Sequence, residues 1–157
     1  KKVVLTPLAE NSVLNIARVR SAWEWCGALT HSLSPEMHDQ VFAAVSHLPH
    51  LLAFALVHEL STRAEHELLF QFAASGFRDF TRIAASEPEM WRDICLANRV
   101  PLLEELDAYR AQLEQLRNAL QEGDGERLSA TFTQARGARR AWNAEATTRQ
   151  NTQTPRQ

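Results

Sequence analysis

Residues 34–60 read SPEMHDQVFAAVSHLPHLLAFALVHEL, and this stretch decides the fold. Ser34-Pro35 is a helix entry. A serine side chain can accept a backbone N–H of the first turn, and proline at the first helical position gives up a donor that has no partner there. The helix that follows carries His38, Asp39, Val41, Phe42 and Val45 up to Ser46. Pro49 removes one backbone donor and disfavours helix at Leu48, so the chain is expected to bend near Ser46. From His50 to about Leu60 the sequence is apolar nearly all round, which predicts a central buried helix.

Helix dominates on either side of this stretch as well. Arg63 to Ala74 is read as a helix ending near Ser75-Gly76, and Ser86-Glu87-Pro88-Glu89 repeats the cap-and-proline entry for a helix through Met90 to Asn98. Pro101 begins or kinks a long helix in which Leu102, Leu106, Tyr109, Leu113, Leu116 and Leu120 recur at spacings of four and three, a seam suited to a helix hairpin or a subunit contact. Gly123-Asp124-Gly125 is a turn, and a last helix covers about Glu126 to Trp142. From Thr147 on, the chain is polar and reads as a disordered tail, residues 147–157. Towards the start, Val3-Val4-Leu5-Thr6-Pro7 is a β-branched run stopped by proline and reads as a strand, with only Ala28 to Leu33 to pair with. Between them a helix capped by Asn11 or Ser12 places Val13, Ile16, Val19, Trp23 and Cys26 on one face and stops at Gly27. The fold class is mainly all-α.

Composition narrows the function. The 157 residues suffice for one domain with a real core, and 45% hydrophobic with 23% charged residues is the balance of a soluble globular protein. A net charge of −2 gives no electrostatic case for nucleic acid or an anionic membrane. The longest apolar run, Leu51 to Val57, is too short to span a bilayer, and no signal peptide is expected at Lys1-Lys2-Val3. Cys26 and Cys95 read as buried free thiols of a cytoplasmic protein.

Two groups of residues carry chemistry. Ser46-His47-Leu48-Pro49-His50 sets two imidazoles three residues apart, with His38 and Asp39 upstream. They suit either the polar wall of a substrate pocket or structural histidines at a bent helix. A metal-dependent hydrolase on His38, Asp39, His47 and His50 is a third reading, but no HExxH or second cluster of ligands accompanies them, and metal is not expected. The second group lies in Gly76 to Ile94, GFRDFTRIAASEPEMWRDI. Arginine offers a planar fork of donors that fits a carboxylate, and Asp79, three residues before Arg82, has the helical spacing to orient it. A surface ion pair is the plain alternative, and Trp91 can equally be core. The basic run at Arg136, Arg139 and Arg140 reads as a solvated helix end.

SHLPH with LLAFAL after it, then GFRDFTRIA, then MWRDI, in that order, resemble the C-terminal region of prephenate/arogenate (cyclohexadienyl) dehydrogenases of tyrosine biosynthesis. The likeness spans roughly Val3 to Leu120. It implies an NAD- or NADP-dependent oxidative decarboxylation, in which a Rossmann domain holds the cofactor and a helical domain forms a homodimer and closes the substrate site. Residues 1–33 then correspond to a closing β-α-β of the Rossmann domain, and residues 34–146 to the helical dimerisation and substrate-binding domain. The sequence has no GxGxxG, and the resemblance puts no catalytic residue in this chain, which alone is expected to be inactive. By the same resemblance Arg82 pairs with a carboxylate of prephenate or arogenate within an ionic network that includes Asp79. His50 and Ser46 line the pocket, His47 lies close by, and Trp91 reaches the neighbouring subunit's site. A free-standing helical interaction module using the Leu102–Leu120 seam is the alternative of another class.

Overall fold

A computed structural model of the chain describes residues 1–152, with side-chain surroundings described to residue 145. The protein is mainly helical, with one two-stranded sheet near its start. The division into compact units falls at Asp107, giving Lys1–Asp107 and Ala108–Gln157.

The first unit opens with β1 (Lys2–Leu5), α1 (Val13–Trp25) and β2 (Leu29–Ser32). The strands pair in parallel, Val3 opposite Thr30 and Leu5 opposite Ser32, so the partner expected for the N-terminal strand is the one found. A parallel pair needs a crossover, and α1 provides it. Ser12 caps α1 by accepting the Asn15 N–H at 3.2 Å. Gly27, at φ 79°, closes it: the Gly27 N–H reaches the Glu24 carbonyl and the Ala28 N–H the Trp23 carbonyl, a paired C-terminal cap that needs the left-handed conformation. The apolar face read for α1 is not buried in this chain, since Val13 is 83%, Val19 48% and Trp23 47% exposed, and Cys26 is exposed rather than buried. Among the described residues α1 lies chiefly against β2, to which Arg20 is tied through Thr30 and Ser32.

The helices that follow are α2 (Pro35–Phe42), α3 (Leu48–Ser61), α4 (His66–Gln71), α5 (Ser75–Thr81) and α6 (Pro88–Ala97). Ser34 caps α2 through the Met37 N–H at 3.1 Å. The bend expected at Pro49 takes another form. Residues 43–47 make a π-turn, and the Leu48 N–H reaches back to the Ala43 carbonyl, so α2 and α3 join in one 27-residue helix, Pro35–Ser61. In an α-helical register the proline ring would meet the Val45 carbonyl and leave it without a donor; the widened turn absorbs that conflict without ending the helix. By length and composition this helix could cross a bilayer, which Leu51–Val57 alone could not. It packs against α4, α5 and a 3₁₀ turn at Arg82–Ala85, as the central helix of a helical unit does. Its burial is less complete than its composition predicts: Leu48 and Ala53 are buried, and most of the rest is half-buried.

Three further departures are local. The helix read over Arg63–Ala74 is shorter, because Arg63–Glu65 form a turn pinned by two Arg63–Glu59 hydrogen bonds. Gly76 lies inside α5 rather than after a helix. Ser86 does not cap α6; its hydroxyl donates to the Ile83 carbonyl at 2.8 Å and Glu87 takes the cap position.

The helix α7 (Arg99–Glu122) contains Asp107, where the units divide, and Pro101 sits harmlessly in its first turn. Along the leucine seam Leu102 is buried, while Leu113 and Leu120 are 46% and 67% exposed. In the second unit Gly123, at φ 69°, ends α7, and Asp124 caps α8 (Gly125–Thr152) by accepting the Arg127 N–H at 2.9 Å. Arg139 of the basic run stacks over Trp142 at 4.4 Å. Nothing in Ala144–Asn151 breaks a helix, so α8 continues past residue 147, where the polar tail was expected to begin; the rest of that tail, 153–157, lies outside the described residues.

Candidate functional site

The π-turn is what brings the polar residues of the SHLPH segment together. Ser46 and His47 are its last two residues and His50 lies one turn on, in α3. His50 Nδ1 donates to the Ser46 carbonyl at 2.8 Å, so Ser46 contributes its backbone to holding the ring. The His50 ring then stacks on Trp91 of α6, with centroids 3.6 Å apart and planes 17° from parallel, and His47 meets the same indole edge-on at 6.2 Å. Trp91 is thus engaged within its own chain. Its Nε1 is buried with no hydrogen-bond partner in the structure.

Asn98, which the sequence reading treats only as the end of a helix, is the buried polar centre of this cluster, at 6% exposure. It follows α6, and its carbonyl accepts the Leu102 N–H that starts α7. Its side-chain amide lies 2.8 Å from the Asp39 carbonyl and 2.9 Å from His47 Nδ1, tying the α6–α7 junction to the π-turn. His38 Nδ1 pairs with the Asp39 carboxylate at 3.0 Å and its ring lies 4.4 Å from that of Phe42. No group of three His, Cys, Asp or Glu side chains is placed to hold a metal among the described residues. Each candidate histidine already has its Nδ1 engaged.

Burial, the main cause, holds His47 below its ordinary value of 6.5. His38 adds repulsion, Asp39 pulls the other way, and His50 lowers it a little further. His47 is therefore a neutral ring near pH 7, suited to hydrogen bonding rather than to pairing with an anion. Burial also pushes the Cys95 thiol up, which keeps it protonated and a poor nucleophile.

Arg82 stands elsewhere. It begins the 3₁₀ turn after α5 and, with Arg78 and Thr81, lines a cleft of about 440 Å³ walled by Phe70 and Phe77. Arg82 and Asp79 form no ion pair, which corrects the expectation that the carboxylate orients the guanidinium. The i,i+3 relation needs one helical period across both residues, and the period changes between them at Thr81. The two arginines instead present their positive charge to the cleft, with Thr81 tied to the Phe77 carbonyl at 2.8 Å. A second, almost wholly apolar pocket of about 340 Å³ is lined by Leu51, Phe54, Pro88, Trp91, Cys95 and Leu96 among others. Trp91 thus borders this pocket and also touches both histidines, so direct contacts join His47, His50, Ser46 and Trp91, while Arg82 reaches the same helix only through the packing of its 3₁₀ turn on α3.

Residues 34–134 match the family model described as prephenate dehydrogenase, dimerization domain. The chain is 40% identical over 141 residues to a cyclohexadienyl dehydrogenase of Zymomonas mobilis, covering 88% of this chain and 48% of that protein. It is 35% identical over 137 residues to a prephenate dehydrogenase of Bacillus subtilis, covering 87% and 37%. Among solved structures, prephenate dehydrogenase from A. aeolicus in complex with hydroxyphenyl propionate and NAD+ superposes with a TM-score of 0.82 at 37% identity, covering 89% of this chain and 49% of the other. Synechocystis arogenate dehydrogenase superposes with a TM-score of 0.79 at 30% identity, covering 90% and 52%. The chain spans about half the length of these relatives or less. Its mainly helical fold and the match over 34–134 agree: the chain belongs to the prephenate dehydrogenase family and carries that family's helical dimerization domain.

Proposed function

We propose that this chain is the substrate-binding and subunit-joining part of an NAD- or NADP-dependent dehydrogenase that converts prephenate to 4-hydroxyphenylpyruvate with loss of CO₂. The observation that carries the reading is the histidine cluster on the π-turn, built around Asn98 and Trp91, in a chain of this family. π-turns inside α-helices concentrate at functional sites because they re-aim the side chains beside them. His47 and His50 supply hydrogen bonds to polar groups of the substrate, Trp91 an aromatic wall, and Arg82 with Arg78 the charge for a carboxylate. Asp79 belongs to the wider ionic surroundings of the arginines in this reading rather than to a direct pair. Arogenate, in which an amino acid replaces the keto acid, is the alternative substrate, supported by the likeness to cyclohexadienyl and arogenate dehydrogenases.

The described residues do not fit a dinucleotide. The turn after β1 is Thr6-Pro7-Leu8-Ala9-Glu10-Asn11, without glycine. Its Leu8 N–H is taken by the Asn11 side chain at 2.9 Å, and Glu10 would repel a pyrophosphate. The cofactor in this reading belongs to a Rossmann domain of which residues 1–33 are the closing β-α-β. What this chain does is bind and orient. The exposed apolar residues of the helices, among them Leu113, Leu120 and Phe132, support a homodimer. A soluble cytoplasmic enzyme, with neither nucleic acid nor membrane as partner, completes the reading.

The test is reduction of NAD and NADP by the full-length enzyme, followed at 340 nm by the usual nicotinamide absorbance, with prephenate and with arogenate. Substrate-dependent reduction with either one supports the proposal; no reduction with both substrates and both cofactors refutes it.

A further inference from the structure

The buried Asn98 amide has one orientation compatible with its two partners, in which its Oδ1 is buried without a partner of its own. One of its atoms lies 2.8 Å from the Asp39 carbonyl and 2.9 Å from His47 Nδ1. A carbonyl oxygen only accepts, so that atom must be the amide nitrogen; turning the amide over would set two acceptors against each other. The nitrogen has two hydrogens. One goes to Asp39, and the other meets His47 Nδ1, which must receive it and so carries no proton. Neutral His47 is then the Nε2–H tautomer. His50 is the reverse case. Its Nδ1 lies 2.8 Å from the Ser46 carbonyl and must carry the proton, which leaves Nε2 as an acceptor in the neutral ring.

We infer that Asn98 is a positioning residue: it holds His47 as an Nε2–H donor while the π-turn holds His50 as an Nε2 acceptor, so the two histidines offer a ligand opposite hydrogen-bonding polarity. The arrangement depends on the junction between α6 and α7, because Asn98 reaches Asp39 and His47 from there. The titratable groups acting on His47 are His38 and Asp39 on α2 and His50 on α3; Asn98 and Trp91, which face it from the α6 side, do not titrate. The catalytic consequence rests on the function proposed above, whereas the tautomers do not.

The experiment uses the full-length enzyme labelled with ¹⁵N-histidine, with His47 assigned by loss of its signals in His47→Gln. Imidazole ¹⁵N shifts are expected to show His47 protonated at Nε2 and His50 at Nδ1. Asn98→Asp replaces the donor by an acceptor, so His47 should move its proton to Nδ1 and hold a second one to higher pH. The pH profile of kcat/KM should move upward with it and its maximum fall about 10- to 100-fold, the scale seen where a partner that fixes a histidine tautomer is lost. Asn98→Ser, which keeps one donor for two acceptors, should give a mixture of tautomers. A wild-type His47 protonated at Nδ1 overturns the inference, and so does an Asn98→Asp enzyme with the wild-type tautomer or the wild-type pH profile. If Asn98→Asp does not fold, the wild-type spectrum and Asn98→Ser decide. An enzyme inactive on both substrates removes the proposed function, while the spectra still decide whether Asn98 sets the tautomer.

Discussion

Replacing Arg82 by alanine separates a binding role from a structural one, and the structure sets the size of each. Arg82 is exposed and has no acidic partner within 4.0 Å, so its removal breaks no ion pair and leaves no buried charge. The stability change should stay within about 0.5 kcal/mol, as for surface substitutions away from special features. A carboxylate held by the guanidinium is another matter. Two unit charges about 4 Å apart attract by roughly 4 kcal/mol at an effective dielectric of about 20. Desolvation of both ions takes back part of this, and hydrogen bonds to charged groups leave about 1.5–3 kcal/mol net. That corresponds to a loss of about 10- to 100-fold in kcat/KM, carried mainly by KM if substrate and transition state keep the same carboxylate. The assay is steady-state kinetics of the full-length enzyme with prephenate, beside a thermal melt of the same sample. Arg78→Ala, in the same cleft, should raise KM in the same direction. An unchanged KM in Arg82→Ala would refute the carboxylate role, and a large drop in Tm with proportionate loss of activity would show that the residue serves the fold instead.

Three further outcomes are expected. Ser34→Ala removes the acceptor for the Met37 N–H and should cost about 1 kcal/mol in urea unfolding; no change would mean that the cap is replaced by solvent. Ala53 is fully buried, at 0% exposure, so Ala53→Leu should overpack α3 and lower stability by about 1–3 kcal/mol, read as a fall in Tm. His47 is held below 6.5 in the folded chain, so the unfolded chain binds the proton more readily; stability is therefore full above that pH and falls as pH drops through 6.5 towards the folded value. Denaturation between pH 5 and 8 should show that slope, and His47→Gln should flatten it.

The parts of the fold that were legible in the sequence are those set by neighbours along the chain. Ser12, Ser34 and Gly27 act where their side-chain acceptors or left-handed backbone allow, and β1 finds its partner in the segment after α1. The rest lies where one local conflict has more than one solution, or where a long-range contact decides. Pro49 signals a bend near Ser46, and the helix does leave the α form there, but as a π-turn that keeps it whole. The role of Asn98 is not legible in the sequence because burial is not a property of the residue alone. Its partners Asp39 and His47 lie 59 and 51 residues away, and only the folded chain shows that a polar amide at a helix junction is also the centre of a cluster.

The apolar residues pose the same problem at a larger scale. A helix that is apolar all round must be covered, but its sequence does not say by what. In α3 the chain itself buries Leu48 and Ala53 and leaves much of the remaining surface half open, and α1 presents Val13 and Trp25 to solvent. The buried apolar residues among those described are Ala43, Leu48, Ala53, Leu102 and Ala119, mostly small, while Trp25, Phe72 and Leu120 are more than 60% exposed. Burial of apolar area is the main force that folds a chain, and a surface of this kind is better explained by contacts outside the single chain than by weak folding within it. The proposed homodimer and the proposed Rossmann domain beside residues 1–33 would cover different parts of it. Trp91 illustrates the link to chemistry: it borders the apolar pocket and stacks on His50, so whatever fills that pocket also bears on the ring that holds the site.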